Sequence, residues 1–262
     1  MKKEVLLAVV VCLAATSGVH AQSPRWQQMI EIQVAPVHQP AFEDYILKIK
    51  EAAEKTESPV SWTTFQVVAG RADASYDVGL NYNTWAERDQ WSSVPEMLTK
   101  AFGEQEAAQI LRAGRVGIVS QRSLIWERLP DASSNPRPAG SGPANFYAVT
   151  IRHVKRDGVP EYREIQRTWK SAYEAVANGP SVGRSILRFG EGSNATFRRG
   201  TPFDRWGDYD ASRELEVLAE QLGEEGSRLT LEARDRLCTD MDSFIAAYRP
   251  DLSRPAVSPT SD

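Results

Sequence analysis

Three arginines and a histidine carry the clearest chemistry in this 262-residue chain: Arg152, His153, Arg184 and Arg188. All four fall in strand-like stretches, 146–153 and 182–189. Alternate residues of a strand share a face. Arg152, Arg184 and Arg188 therefore group with Thr150 and Ile186, and Val149, Ile151, Leu187 and Phe189 take the opposite face, expected against helices. Forked guanidinium donors suit a carboxylate or a phosphate. The equivalent face of the first half carries Glu31, Gln33, Trp62, Thr64 and Gln66, with Ile30, Ile32, Val34, Phe65, Val67 and Ala69 turned to the helices. Two readings stay open. The arginines pair internally with Glu31, Asp240 and Asp242, or they line an anion-binding lumen with Glu31, Gln66 and Trp62 beside them.

His153 follows the parity of Val149 and Ile151. It is an acid–base or haem-ligand candidate, or a strand-end histidine bonded to a neighbouring carbonyl. His38 precedes Gln39-Pro40, where a turn or capping role fits. Two histidines far apart, with no cysteine beside them, give no zinc pattern, and no metal is expected. No nucleophile–base pair and no cofactor fingerprint is present, so no catalytic residue is assigned.

Residues 1–21 read as a signal peptide: Lys2 and Lys3, an apolar run, then Val19-His20-Ala21 at a cleavage site. Export to the periplasm or the medium is expected. Cleavage would remove Cys12 and leave Cys238 alone, so no disulfide can form within the chain. The net charge is −4, and loss of Lys2, Lys3 and Glu4 makes it one unit more negative. That argues against nucleic acid or an anionic membrane as partner. No later stretch is long and apolar enough to span a bilayer.

The segment Ser133-Ser-Asn-Pro-Arg-Pro-Ala-Gly-Ser-Gly-Pro143 holds no aliphatic residue larger than alanine and no aromatic. It reads as a linker within 132–145, between a first repeat at 22–131 and a second at 146–251, with a disordered tail at 252–262. A shift of 120 positions lays the repeats over each other. Ser123 and Pro130-Asp131 match Ser243 and Pro250-Asp251, Gly70 matches Gly190, and Gly103-Glu104 matches Gly223-Glu224. Each half alternates with period two at 29–34, 62–69, 76–82 and 120–128, or at 146–153, 182–189, 195–199 and 242–248. Helical spacing appears at 40–54, 84–102 and 104–113, and again from Pro160, at 211–222 and at 230–237.

The order β-α-β-β-α-(α)-β, written twice, is α+β: two tandem ferredoxin-like βαββαβ units. One unit leaves a sheet face bare, and two can cover each other as a pseudo-dimeric α+β barrel. In this order and duplication the chain resembles an internally duplicated pair from the dimeric α+β barrel superfamily, with its antibiotic-biosynthesis-monooxygenase-like and NIPSNAP-like members. The resemblance implies a ligand place between sheet and helices or in the lumen, and no motif residue to carry across. Three functions follow from it: a binding or structural barrel for a small organic or anionic ligand, a cofactor-independent monooxygenase-like enzyme on a flat, partly anionic substrate, and a haem protein using His153 or His38. The arginines sit in one half only, so at most one half is expected to keep a pocket.

Overall fold

The computed structural model describes residues 24–71, 74–138, 141–210 and 213–255. The expected leader lies outside them. Among the described residues eight strands form: β1 Trp26–Val34, β2 Trp62–Ala69, β3 Ser75–Tyr82, β4 Ile118–Arg128, β5 Phe146–Val154, β6 Gly183–Phe189, β7 Thr196–Phe203 and β8 Cys238–Tyr248. They close an antiparallel barrel in the order β1-β3-β2-β8-β5-β7-β6-β4, with β4 returning to β1. Closure depends on two pairings between the halves, β2 with β8 and β4 with β6. Each takes an edge that would otherwise be open. The pairings β1·β3, β1·β4 and β2·β3 recur as β5·β7, β5·β8 and β6·β7.

Helices cover the outside. In α1, Gln39–Lys55, Pro40 occupies the first turn, and Phe42, Ile46, Ile49 and Ala53 bury one stripe. In α5, Val159–Glu174, the same arrangement buries Tyr162, Ile165, Trp169 and Tyr173. The helix expected across 84–102 is two: α2, Trp85–Asp89, capped by Thr84, and α3, Val94–Phe102, started afresh by a Ser93/Glu96 capping box with Pro95 behind it. Next comes α4, Glu104–Arg115, after Gly103 at φ 83°. In the second half α6, Trp206–Asp210, precedes α7, Glu214–Leu237, which breaks at Gly223 with φ 74°. A positive φ suits only glycine cheaply, and it turns the chain at the same place in both halves. No helix among the described residues is long and apolar enough to cross a membrane.

Three apolar clusters result. One lies under α1, α3 and α4, one under α5 and α7, and the third fills the barrel with Met29, Phe65, Val67, Leu124, Trp126, Val149, Ile151, Leu187, Phe244 and Ala246. This reverses the parity expected for β2, β5 and β6. Phe65, Val67, Val149, Ile151 and Leu187 face the lumen, whereas Trp62 and Ile186 belong to the helix-side clusters. Phe189, expected under a helix, is exposed at the rim with its ring edge-on to Trp85. Ile32 and Val34 in β1 do face the helices. The strands of a barrel sheathed by helices are buried on both sides, so both parities are apolar and alternation does not decide between them.

The chain following each closing strand crosses to the other half. Leu129 N–H donates to Arg184 O, and Ser134 pairs with Val182. Arg249 N–H donates to Thr64 O, and Arg254 pairs with Trp62. Leu252 and Ser253 are fully buried, so the packed chain continues past the boundary expected at Asp251.

Candidate functional site

One end of the barrel gathers the C-terminal ends of β1, β2, β5 and β6 with the N-terminal ends of the other four strands. A cavity of about 230 Å³ opens there. Its floor is apolar: Leu124 and Trp126 from β4, Ile151 from β5 and Leu187 from β6. Its rim is polar: Arg122, His153, Glu191 and Thr196. The indole N–H of Trp126 is buried without a hydrogen-bond partner, a donor that a ligand oxygen could satisfy.

The tautomer of His153 follows from its neighbour. Thr196 Oγ1 donates its single hydrogen to Gly192 O at 2.9 Å, because a carbonyl can only accept. The same oxygen lies 3.0 Å from His153 Nδ1. Nδ1 must therefore carry the proton and donate it to Thr196. That leaves the lone pair of the neutral imidazole on Nε2, as base or ligand. Gly192 makes this approach feasible. Its φ is 77°, and a Cβ there would fall 2.6 Å from Thr196 Oγ1.

Beside the cavity runs an ionic column. Arg122 Nε donates to Glu31 at 2.5 Å, and Arg71 donates to Asp242 at 2.5 and 2.8 Å while its guanidinium lies 3.7 Å from the centre of the Phe244 ring. Deeper in, Asp77 stands 3.9 Å from both Arg71 and Arg198, and Arg198 donates to Gln27 Oε1 at 3.0 Å. Asp77 is 2% exposed. Burial pushes its carboxyl up to about 6, against the pull of Arg198. The internal ion-pair network thus exists and uses Glu31 and Asp242, but its cations are Arg71, Arg122 and Arg198. Asp240 is exposed and accepts from the N–H of Met241.

Of the seven ligand candidates, only Glu31 and His153 reach this end of the lumen. Arg152 and Arg184 lie together on the outer face of the sheet, under α5. Arg188 is held at the rim by Glu127 and Asn194, both at 2.7 Å. Trp62 donates its indole N–H to Leu252 O, and Gln66 accepts from Arg249 on the helix side. The expected anion-binding lumen of Arg184 and Arg188 is therefore not formed. Arg122, Trp126 and Thr196 line the cavity and Asp77 lies in the ionic column beside it, and their spacing singles out none of them. Asp77 alone left a signal, as the polar member of an otherwise covered strand.

Cys238 is half-buried, and burial raises its thiol pKa, the opposite of a nucleophile's environment. Among the described residues no group of His, Cys, Asp and Glu could hold a metal ion. A haem does not fit either. His38 packs outside the barrel against Gly117. The cavity beside His153, at about 230 Å³, suits one or two fused rings and is too small for a tetrapyrrole.

No family model and no curated protein matches the chain. Solved structures are. An anthrone oxidase-like protein superposes with a TM-score of 0.58 at 14% identity, covering 91% of this chain and 96% of its own. A provisionally assigned monooxygenase from Fusobacterium nucleatum gives 0.56 at 10% identity, over 87% and 93%. Another from Lactobacillus acidophilus gives 0.52 at 9%, over 90% and 97%. At such identities the likeness speaks for the architecture alone, helices around a closed eight-stranded antiparallel barrel.

Proposed function

We propose that the barrel mouth binds a flat, partly anionic organic molecule and oxygenates it without a resident cofactor. The carrying observation is the pair Thr196–His153, which leaves Nε2 unprotonated beside an apolar floor and an unpartnered indole N–H. An engineered cavity of about 150 Å³ holds benzene, so one or two fused rings suit the floor, with any third ring in the open mouth. His153 Nε2 takes a proton from an activated CH₂ or a phenol, and Arg122 and the Trp126 N–H stabilise the resulting oxyanion. Dissolved dioxygen is the oxidant. Overall a CH₂ and O₂ become a carbonyl and water, one oxygen atom in each. The names of the architectural neighbours favour this over a purely structural barrel.

The recurring pairings, Gly103 and Gly223 at equivalent breaks, and the constant offset of 120 support two tandem ferredoxin-like units arising by duplication. The apolar leader at 1–21 supports export as the setting.

Anthrone serves as the probe. With it, the wild-type protein should accelerate oxygen uptake matched one to one by anthraquinone. Replacing His153 by Gln should lower the rate about 10²–10⁴-fold, the range for a positioned general base. A His153→Gln protein that binds and turns over anthrone unchanged would overturn the assignment.

A further inference from the structure

Register makes the two outer sheet faces directly comparable. In the first half Ile30 pairs with Val78, Ile32 with Tyr76 and Thr64 with Val78. In the second half Thr150 pairs with Arg199, Arg152 with Phe197 and Arg184 with Arg199. Three arginines thus stand under α5 where Ile32, Thr64 and Val78 stand under α1. This is a buried layer: Arg184 is 3% and Arg152 9% exposed.

Burying Arg152 and Arg184 beside a part-buried Arg199 is unfavourable unless charge compensates. One carboxylate does so, Glu214, paired with Arg199. Arg184 Nη1 donates to Ala132 O, while its Nη2 has no partner; nor has Arg199 Nε. Gln166 is buried with its amide oxygen unpartnered at the same place, and a half-turn of that amide would present its NH₂ instead. Between these groups lies a gap of about 10 Å³, lined by Arg152, Gln166, Trp169 and Arg184 among others. That is the lower limit for a single water, so a monatomic anion, slightly larger, requires the flexible guanidinium groups to part around it. A neutral water would satisfy a donor and leave the excess positive charge. A carboxylate or phosphate would not fit.

We propose that Arg152, Arg184 and Arg199 form a buried site for one monatomic anion of chloride size, between α5 and the sheet. It is separate from the lumen and does not depend on the activity assigned there. Consistently, burial and the nearby Arg199 charge depress Arg184 to about 10, a strain that a bound anion would relieve.

The test is thermal unfolding of the full chain in sodium chloride against sodium gluconate at constant ionic strength. The folding constant should rise tenfold for each tenfold increase in chloride above its dissociation constant, and gluconate should give no rise. The double substitution Arg184→Thr with Arg199→Val, which installs first-half residues, should abolish the chloride response. A wild type with equal stability in both salts would overturn the proposal, and so would a folded double variant that keeps the response. Should the double variant fail to fold, a bromide soak of wild-type crystals decides. An anomalous peak between Arg152 and Arg184 supports the site, and its absence overturns it.

Discussion

The imidazole of His153 and the hydroxyl of Thr196 meet at 3.0 Å with the proton on the histidine side, because Thr196 has given its own hydrogen to Gly192. Thr196 acts through His153, so it is a positioning residue. Thr196→Val keeps the shape and deletes the acceptor. Turnover of the probe should fall about 10–100-fold, as for other orienting partners, and Thr196→Ser should restore it. Nitrogen chemical shifts of the imidazole give a readout that a packing defect would not imitate. The protonated nitrogen should be Nδ1 in wild type, with both tautomers present in the valine variant.

Asp77 gives the fold a pH dependence of unusual sign for a carboxylate. Its folded pKa of about 6 lies above the unfolded value of 3.8. The folded state therefore binds the proton more tightly, and ionisation costs stability. Stability from this group is full below about pH 4 and falls as pH rises through 6, by up to about 3 kcal/mol. Urea unfolding between pH 4 and 7 should show the decline in wild type and lose it in Asp77→Asn.

Glu43 works the other way. Arg249 grips both its oxygens, at 2.8 and 2.9 Å, and the Tyr76 hydroxyl donates to it. Hydrogen bonds from Arg249 above all hold its pKa down to about 2, from 4.5. That stabilisation is present above pH 4.5 and disappears as pH falls towards 2. With both side chains 22% exposed, screening leaves about 1–2 kcal/mol. Glu43→Gln should lose that much at pH 7 and match wild type near pH 2, read from denaturant midpoints.

Gly70 and Gly103 separate two reasons for a glycine. Both have positive φ, but a Cβ on Gly70 would meet Ser243 O at 2.4 Å, whereas one on Gly103 meets nothing within 4 Å. Gly103→Ala should cost about 1–2 kcal/mol from backbone conformation alone. Gly70→Ala should cost more than about 3 kcal/mol, since the β2–β8 seam must move as well. Calorimetric midpoints of the two variants compare them.

Much of the architecture was legible in the chain. The period-two runs located β2 to the residue, and the apolar stripe after Pro40 located α1. The break after Asp89 was legible too, in Ser93-Val-Pro-Glu96, but was masked by continuous helical spacing from Thr84. The site was not legible, for a reason of geometry. Ile186 and Leu187 are adjacent and both fully buried, so neither hydrophobicity nor alternation tells which faces the lumen. An inverted parity sends Arg152 and Arg184 to the wrong side of the sheet and turns His153 away from the lumen it lines. Arg71, in the turn after β2, and Arg122, exposed on β4, gave no sequence signal of their ionic partners.

The seam between β2 and β8 sets a clock on synthesis. Strand β2 ends at Ala69, and its partner ends at Tyr248. On a ribosome adding 5–20 residues per second, the β2 edge with Phe65 and Val67 waits on the order of 10–30 s for the strand that covers it. Once β4 is made and until β6 covers it, the first half offers two unpaired edges to any neighbouring nascent chain, including copies of itself. Separately made halves, 24–131 and 132–255, should find each other by the same edges and restore the barrel in trans.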